Sequence, residues 1–343
     1  MQVLKDIRPG LNPARMKRLM TEAIERCELD LNGLTVLTEA ATGSYIVTPV
    51  LAAMAGARRV LAVARTNRYG AAEETSAQTE ALAELAGQGG RIEYIPGVNR
   101  ELVQEADIVT NSGNVRPITA EFVDWMRPDA VIPLMYESWE FRAADLDLEA
   151  CLRKGVAVAG TNECHPAVEV FSFLGMLAAK LLFDAGIGIY RSRLLLLCDN
   201  PFLPYIESTL RQCGAFVCSF PTASLDPGAV EFDAVIVAMT PTAGTVISLE
   251  DMRRIAASSP GVVLLQYFGD IDRKLAAEAG LFVWPAEAPA PGHMGILQSA
   301  IGPEATVRLQ AGGLKAGEVL FRRSYKTNAE AAKFIQPVQT GGT

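Results

Sequence analysis

The sequence lacks several things whose absence is informative. It has no CxxC pair, no uncharged apolar stretch of about 18 residues, no basic excess, and only 2 histidines in 343 residues. Without paired cysteines, the scattered Cys27, Cys151, Cys164, Cys198, Cys213 and Cys218 give no zinc-site spacing. Most lie in apolar runs, as buried free thiols do. Without a long apolar run there is no membrane span. The opening MQVLKDIRPG lacks the apolar region of a signal peptide, so a reducing cytoplasm is the expected compartment. Acidic residues outnumber basic ones, 39 to 31, for a net charge of −8. That argues against nucleic acid or an anionic membrane as the main partner, because both need a basic face. A local basic patch stays open.

What is present is an alternation of strands and helices. Apolar runs at LTVLTEA (34–40), RRVLAVA (58–64), RIEYI (91–95), ADIVT (106–110), AVIPLM (130–135) and VAVAG (156–160) read as strands. Helical segments lie between most of them, beginning with 13–27 and including 48–57 and 72–87. Near-continuous apolar strands alternating with helices predict parallel, doubly wound sheets buried on both faces. The pattern restarts after a long apolar helix read over 165–186, with strands at 192–198, 214–220, 234–240, 262–268 and 281–286. The expected fold is therefore α/β, with two Rossmann-like parallel-sheet domains and an interdomain cleft. The expected divisions are a substrate-type domain at 1–165, a connecting helix at 166–186, and a nucleotide-type domain at 187–300. A helix packing back at 301–330 and a flexible tail at 331–343 complete the chain.

The second half opens with LLLLCDNPFLPYIESTLRQCGAFV (195–218), which has the strand–turn–helix–strand order of a nucleotide-binding unit. Its turn is CDNPF, where a dinucleotide binder has glycines. Asp199 and Asn200 stand at the helix start, where an acid caps the helix but repels phosphate. Pro201 stiffens the turn and removes a donor.

Three stretches carry a family likeness. ADIVTNSGNVRPITAEFVDWM, DLDLEACLRKGVAVAGTNE and HPAVEVFSFLGML (106–177) resemble the substrate domain of D-2-hydroxyacid dehydrogenases, the group of phosphoglycerate and formate dehydrogenases. AMTPTAGTVIS, SPGVVLLQYFGDIDR and the APGHMG turn are similar to that family's later segments. The likeness covers roughly residues 106–300, and Glu169 falls where the family has a glutamate in its connecting helix. The first 100 residues resemble S-adenosylhomocysteine hydrolases through the TPVLAAMAGA helix and its flanking strands. The resemblance implies a homodimer, a small-molecule substrate, and His293 as acid/base. Family spacing places the fingerprint glycines on Cys198, Asn200 and Leu203, the ribose-binding acid on Phe220 or Pro221, and the carboxylate-clamping Arg on Phe268. No carboxylate follows before Asp226. These departures leave room only for NAD or NADP bound in an atypical way.

Candidate residues follow from these loops. His293 lies in the Gly/Pro-rich turn PAPGHMG after a strand, the setting of a general acid/base or of a turn histidine bonded to backbone. Glu287 is either its orienting carboxylate or a solvated loop acid. Arg273 is a shifted replacement for the lost Arg, or part of a helix start that Asp272 caps. Asp199, Asn200, Thr240 and Pro241 are the cofactor-side candidates. Small residues after strands expose N–H groups suited to carboxylate or phosphate. Hence Glu39, Thr42, Gly43, Ser44 and Tyr45 in one loop, and Asn111, Ser112 and Gly113 in another, are substrate-side candidates, with ordinary strand–helix turns as the alternative. Tyr136, Glu137, Trp139, Glu140 and Arg142 in the aromatic and charged loop MYESWEFR are candidates for substrate contact, or for an interface. No metal is specified. The expected function is a biosynthetic enzyme acting on a small carboxylate-bearing metabolite. The alternatives are a non-redox lyase, cyclase or isomerase, or an inactive binding subunit.

Overall fold

A computed structural model of the chain describes residues 9–67, 70–222, 230–242 and 244–338. Backbone contacts divide it into two units, Met1–Val170 with Gly302–Thr343, and Phe171–Ile301. In chain order the strands are β1 (Thr35–Glu39), β2 (Arg59–Val63), β3 (Ile92–Ile95), β4 (Ile108–Val109), β5 (Val131–Pro133), β6 (Ala157–Thr161), β7 (Arg193–Leu197), β8 (Phe216–Phe220), β9 (Ala234–Ala238), β10 (Val263–Phe268), β11 (Phe282–Trp284) and β12 (Ile335–Pro337). Every strand expected from the apolar runs is present.

The first unit holds a seven-stranded sheet in the order β12-β6-β5-β4-β1-β2-β3. All its pairings are parallel except that of β12, which runs antiparallel along β6. The strand order reverses between β1 and β4, the place where such sheets open a crevice at their C-terminal ends. β1 is buried along its whole length, which is why TVLTE shows little polar alternation. Helix Pro13–Cys27 starts at Asn12, whose side chain accepts the N–H of Arg15, and buries Met16, Leu19, Met20, Ala23 and Cys27 at helical spacing.

Helix Glu304–Arg322 lies against the sheet of this unit and is buried along most of its length. Apolar spacing alone starts it only at 313, because the polar Glu304–Gln310 stretch hides its apolar face. Its glycines allow the close approach. A Cβ on Gly317 would stand 2.8 Å from Ile108 Cγ2, and one on Gly312 2.7 Å from Val168. The tail is polar in sequence, yet 329–332 form a short helix and 335–337 form β12. The last residues, 339–343, lie outside the described ones.

The second unit holds a five-stranded parallel sheet, order β11-β10-β9-β7-β8, reversing between β7 and β9. The helix expected over 165–186 is regular only over Leu174–Asp184, after a short 3-10 turn at Phe171–Phe173. Residues 165–170 turn instead of coiling. Glu169 adopts a left-handed φ of 53° and its carboxylate is taken by Arg26 (2.8 Å) and Arg308 (2.7 Å). Helix Leu174–Asp184 packs closely on helix Leu203–Gln212 at Gly175, where any Cβ would overlap Thr209.

Candidate functional site

In the first unit the reversal brings Glu39, at the end of β1, to the loop after β4. Glu39 is buried, and its Oε2 accepts the backbone N–H of Asn114 at 2.7 Å. Gly113 leaves the space for it, since a Cβ there would sit 3.1 Å from the same oxygen. The Asn114 amide donates to the Ala40 carbonyl at 2.9 Å and ties the two loops together. Burial raises the Glu39 carboxyl above its ordinary value. The N–H groups of Asn114 and Gly113 and the charge of Arg116 pull the other way.

Asn111 extends the cluster. Its Nδ2 donates to the Tyr136 hydroxyl at 2.9 Å, and its Oδ1 and main-chain oxygen accept from Arg116 at 3.0 and 2.6 Å. The Tyr136 ring has the Arg142 guanidinium 4.6 Å and the Arg116 guanidinium 5.5 Å from its centroid. Both arginines share one acid. Asp145 Oδ2 accepts Arg142 Nε at 2.9 Å and stands 3.4 Å from Arg116 Nη1. The terminal nitrogens of Arg142 donate to no acceptor among the described residues. Ser112 is buried, its hydroxyl 2.8 Å from that of Thr110, and Thr110 donates to Thr38.

The structure thus gathers Glu39, Asn111, Ser112, Gly113 and Tyr136. It also brings in Asn114 and Arg142, the last residues of the NSGN and MYESWEFR loops, and adds Arg116 and Asp145, which are not among the candidates drawn from the sequence. Arg116 and Asp145 lie two and three residues beyond these loops, so adjacency to them was the only signal. Thr42, Gly43, Ser44 and Tyr45 form the 3-10 turn leading into helix Val47–Met54. Gly43 has φ 60° and Ser44 is buried there.

Next to this cluster lie three carboxylates, Glu137, Glu140 and Glu163. Glu137 accepts the Glu163 N–H at 2.7 Å and the Gln336 amide at 2.5 Å, while Gln336 Oε1 accepts the Ser138 N–H. β12 is latched to the loop in this way. Burial pushes Glu140 up to about 7, with Arg142 opposing and Glu137 adding to the rise. Burial, then Glu140 and Glu137, raise Glu163 well above the ordinary range. Glu137 is raised too, chiefly by burial. His165 stacks on Phe334 with centroids 3.8 Å apart, and its Nδ1 accepts the Ala167 N–H. Elsewhere in the unit, an apolar groove of about 500 Å³ runs along Leu148, Leu152, Val156, Tyr325 and Ile335. It lacks convergent charged groups.

In the second unit the CDNPF turn occupies its own crevice. Asp199 Oδ1 accepts both the N–H (2.7 Å) and the hydroxyl (3.0 Å) of Thr240, in the loop after β9. Asn200 Nδ2 donates to the Ala238 carbonyl at 2.8 Å, and its Oδ1 accepts the Phe202 N–H at 3.1 Å. Pro241 is half-buried beside Thr240. Burial pushes the Cys198 thiol up to about 11. Phe202 is buried among Phe171, Tyr267 and Phe268, ring centroids 5.3 to 6.3 Å away. Phe268, on which family spacing places the substrate-clamping Arg, is a core residue. The residues of this turn do not fit a pyrophosphate. Asp226 lies outside the described residues.

His293 is exposed, and its Nδ1 stands 3.0 Å from the Pro291 carbonyl oxygen. Its loop is fastened by Asp270, which accepts the Gly292 N–H at 3.2 Å. Glu287 is exposed and forms no hydrogen bond to His293. Arg273 spends its guanidinium on the carbonyls of Val283 (3.2 Å) and Pro285 (2.5 Å) and on Gln266 Oε1 (2.8 Å). Asp272 caps the helix beginning at Arg273, accepting from Lys274 and Leu275. Among the described residues no cluster of His, Cys, Asp or Glu is placed to hold a metal, and no helix is long and apolar enough to cross a membrane.

No family model and no curated protein matches the sequence. Solved structures do. A dipicolinate synthase chain from Bacillus subtilis matches with a TM-score of 0.55 at 14% identity, over 88% of this chain and 99% of that one. Its counterpart, dipicolinate synthase from Bacillus halodurans, matches with a TM-score of 0.51 at 11% identity, over 82% and 96%. An NAD+-bound 3-phosphoglycerate dehydrogenase of Entamoeba histolytica is also similar, at 12% identity over 89% and 99%, with a TM-score of 0.44. The chain therefore has a two-unit Rossmann-like α/β fold of the kind seen in these dipicolinate synthase chains.

Proposed function

We propose that the protein is a biosynthetic enzyme that binds a small carboxylate-bearing metabolite at the strand-order reversal of its first unit. The observation that carries this reading is the state of Arg142. Its Nε is fixed by Asp145 and its plane lies near Tyr136, while both terminal nitrogens remain free of acceptors among the described residues. A preorganised guanidinium fork of this kind matches a carboxylate in bidentate fashion. Glu39 supplies a buried carboxyl whose pKa burial raises, which suits a general acid/base. Glu140, pushed up to about 7, is a second proton-transfer group close to Arg142. Such a set suits proton abstraction or elimination beside a carboxylate, as in a lyase, cyclase or isomerase. The names of the fold neighbours, synthases of a dicarboxylate, accord with that ligand class.

The test is calorimetric titration of the chain with a panel of small mono- and dicarboxylates, repeated with Arg142→Gln. At least one ligand is expected to bind saturably, with affinity lowered about 10- to 100-fold in the variant at an unchanged unfolding midpoint. Absence of any carboxylate binding, or binding indifferent to Arg142, rejects the reading.

A further inference from the structure

We propose that the unit Phe171–Ile301 takes no dinucleotide at its CDNPF turn, because its own Asp199 stands on the donors a pyrophosphate would use there. Rossmann-type units bind that group where strand order reverses, on the first amides of the helix after the first strand and on the facing loop. Here the reversal lies between β7 and β9.

The facing loop offers Thr240, and both its N–H and its hydroxyl already donate to Asp199. The helix start offers nothing more. Pro201 and Pro204 have no N–H. The Phe202 N–H goes to Asn200 Oδ1, the Leu203 N–H to the Asn200 carbonyl at 3.3 Å, and the Tyr205 N–H to the Phe202 carbonyl at 3.2 Å. Every amide from 201 to 205 is thus absent or satisfied within the chain.

Two more observations support closure. Asn200 Nδ2 bridges to Ala238, lacing the ends of β7 and β9 together. Phe202 is buried in the aromatic set, so the turn is fixed by packing and cannot swing aside without exposing the ring. A dinucleotide would have to break the Asp199–Thr240 pair and accept a carboxylate beside its phosphates. The unit keeps the Rossmann strand order while its anion position is filled from inside. The inference is independent of the Arg142 site, which lies in the other unit.

The experiment titrates the full chain with NAD+, NADP+, NADH and NADPH by calorimetry, and with the reduced forms by fluorescence, alongside Pro201→Glu. Pro201 is exposed and donates no hydrogen bond, so the substitution adds charge at the turn without touching the core. The expected result is no saturable binding up to about 1 mM. Saturable binding equal in wild type and Pro201→Glu places the ligand away from this turn and also supports the proposal. Saturable binding weakened at least about tenfold by Pro201→Glu overturns it.

Discussion

The Glu39 carboxylate accepts the backbone N–H of Asn114 across the strand-order reversal of the first unit. Asp199 treats Thr240 in the same way in the second. In each, an acid at or just after the end of a strand beside the reversal accepts an N–H of the facing loop. The two differ in burial, since Glu39 is enclosed and Asp199 is exposed. The Glu39→Gln variant keeps an acceptor for Asn114 but abolishes proton exchange. Turnover of the carboxylate substrate is expected to fall at least about 100-fold with substrate affinity nearly unchanged, read from separate kcat and KM measurements.

Arg116→Lys replaces a guanidinium that holds Asn111 by two bonds with a point charge that cannot reach both acceptors. Carboxylate affinity is expected to drop about tenfold and the unfolding midpoint to fall slightly. Calorimetry and a urea melt on the same preparation check both.

The glutamate trio sets a direction for stability against pH. Glu140 has its folded value raised from 4.5 to about 7, chiefly by burial. The folded state therefore holds this proton more tightly than the unfolded chain. The stability it contributes is full below about 4.5 and is lost as pH rises through about 7. Glu140 keeps some solvent exposure, so its share is put at about 1–2 kcal/mol. Glu140→Gln should recover that amount at pH 8 relative to pH 5, measured as the difference between urea midpoints of variant and wild type.

Asp270 holds the Gly292 N–H and so the turn bearing His293. In Asp270→Ala the Gly292 amide is expected to exchange faster with solvent, with a loss of about 1 kcal/mol in stability. Unchanged exchange at Gly292 would show that the turn is held by its other contacts.

Gly175→Ala tests the packing of the second unit. Its methyl would overlap Thr209 Oγ1 and stand 2.7 Å from the Tyr205 carbonyl oxygen. A cost of about 1–3 kcal/mol is expected in denaturant unfolding.

Apolar continuity in TVLTE, RVLAV, RLLLL and AVIVA was enough to place strands and to predict parallel sheets, because strands covered on both faces need apolar side chains throughout. Glu39, Asn111 and Gly113 were legible as loop residues after such strands. The partner of Glu39 was not, since Asn114 lies 75 residues away and meets it only through the strand order. Nor was the left-handed turn at Glu169, which two arginines from distant helices hold in place.

The sequence by itself determined the α/β class, the strand set, and the absence of fingerprint glycines in CDNPF, all of which follow from local periodicity and residue chemistry. Tertiary structure alone decided what those residues do. Asp199 could have been a helix cap or a solvent-facing acid, and only the juxtaposition of β7 with β9 gives it Thr240. Arg273 and Arg142 each follow an apolar strand in the sequence, and each was a candidate for substrate contact. Packing commits the first to backbone carbonyls and leaves the second with free donors, because which acceptors surround a guanidinium is set by elements far apart in the chain.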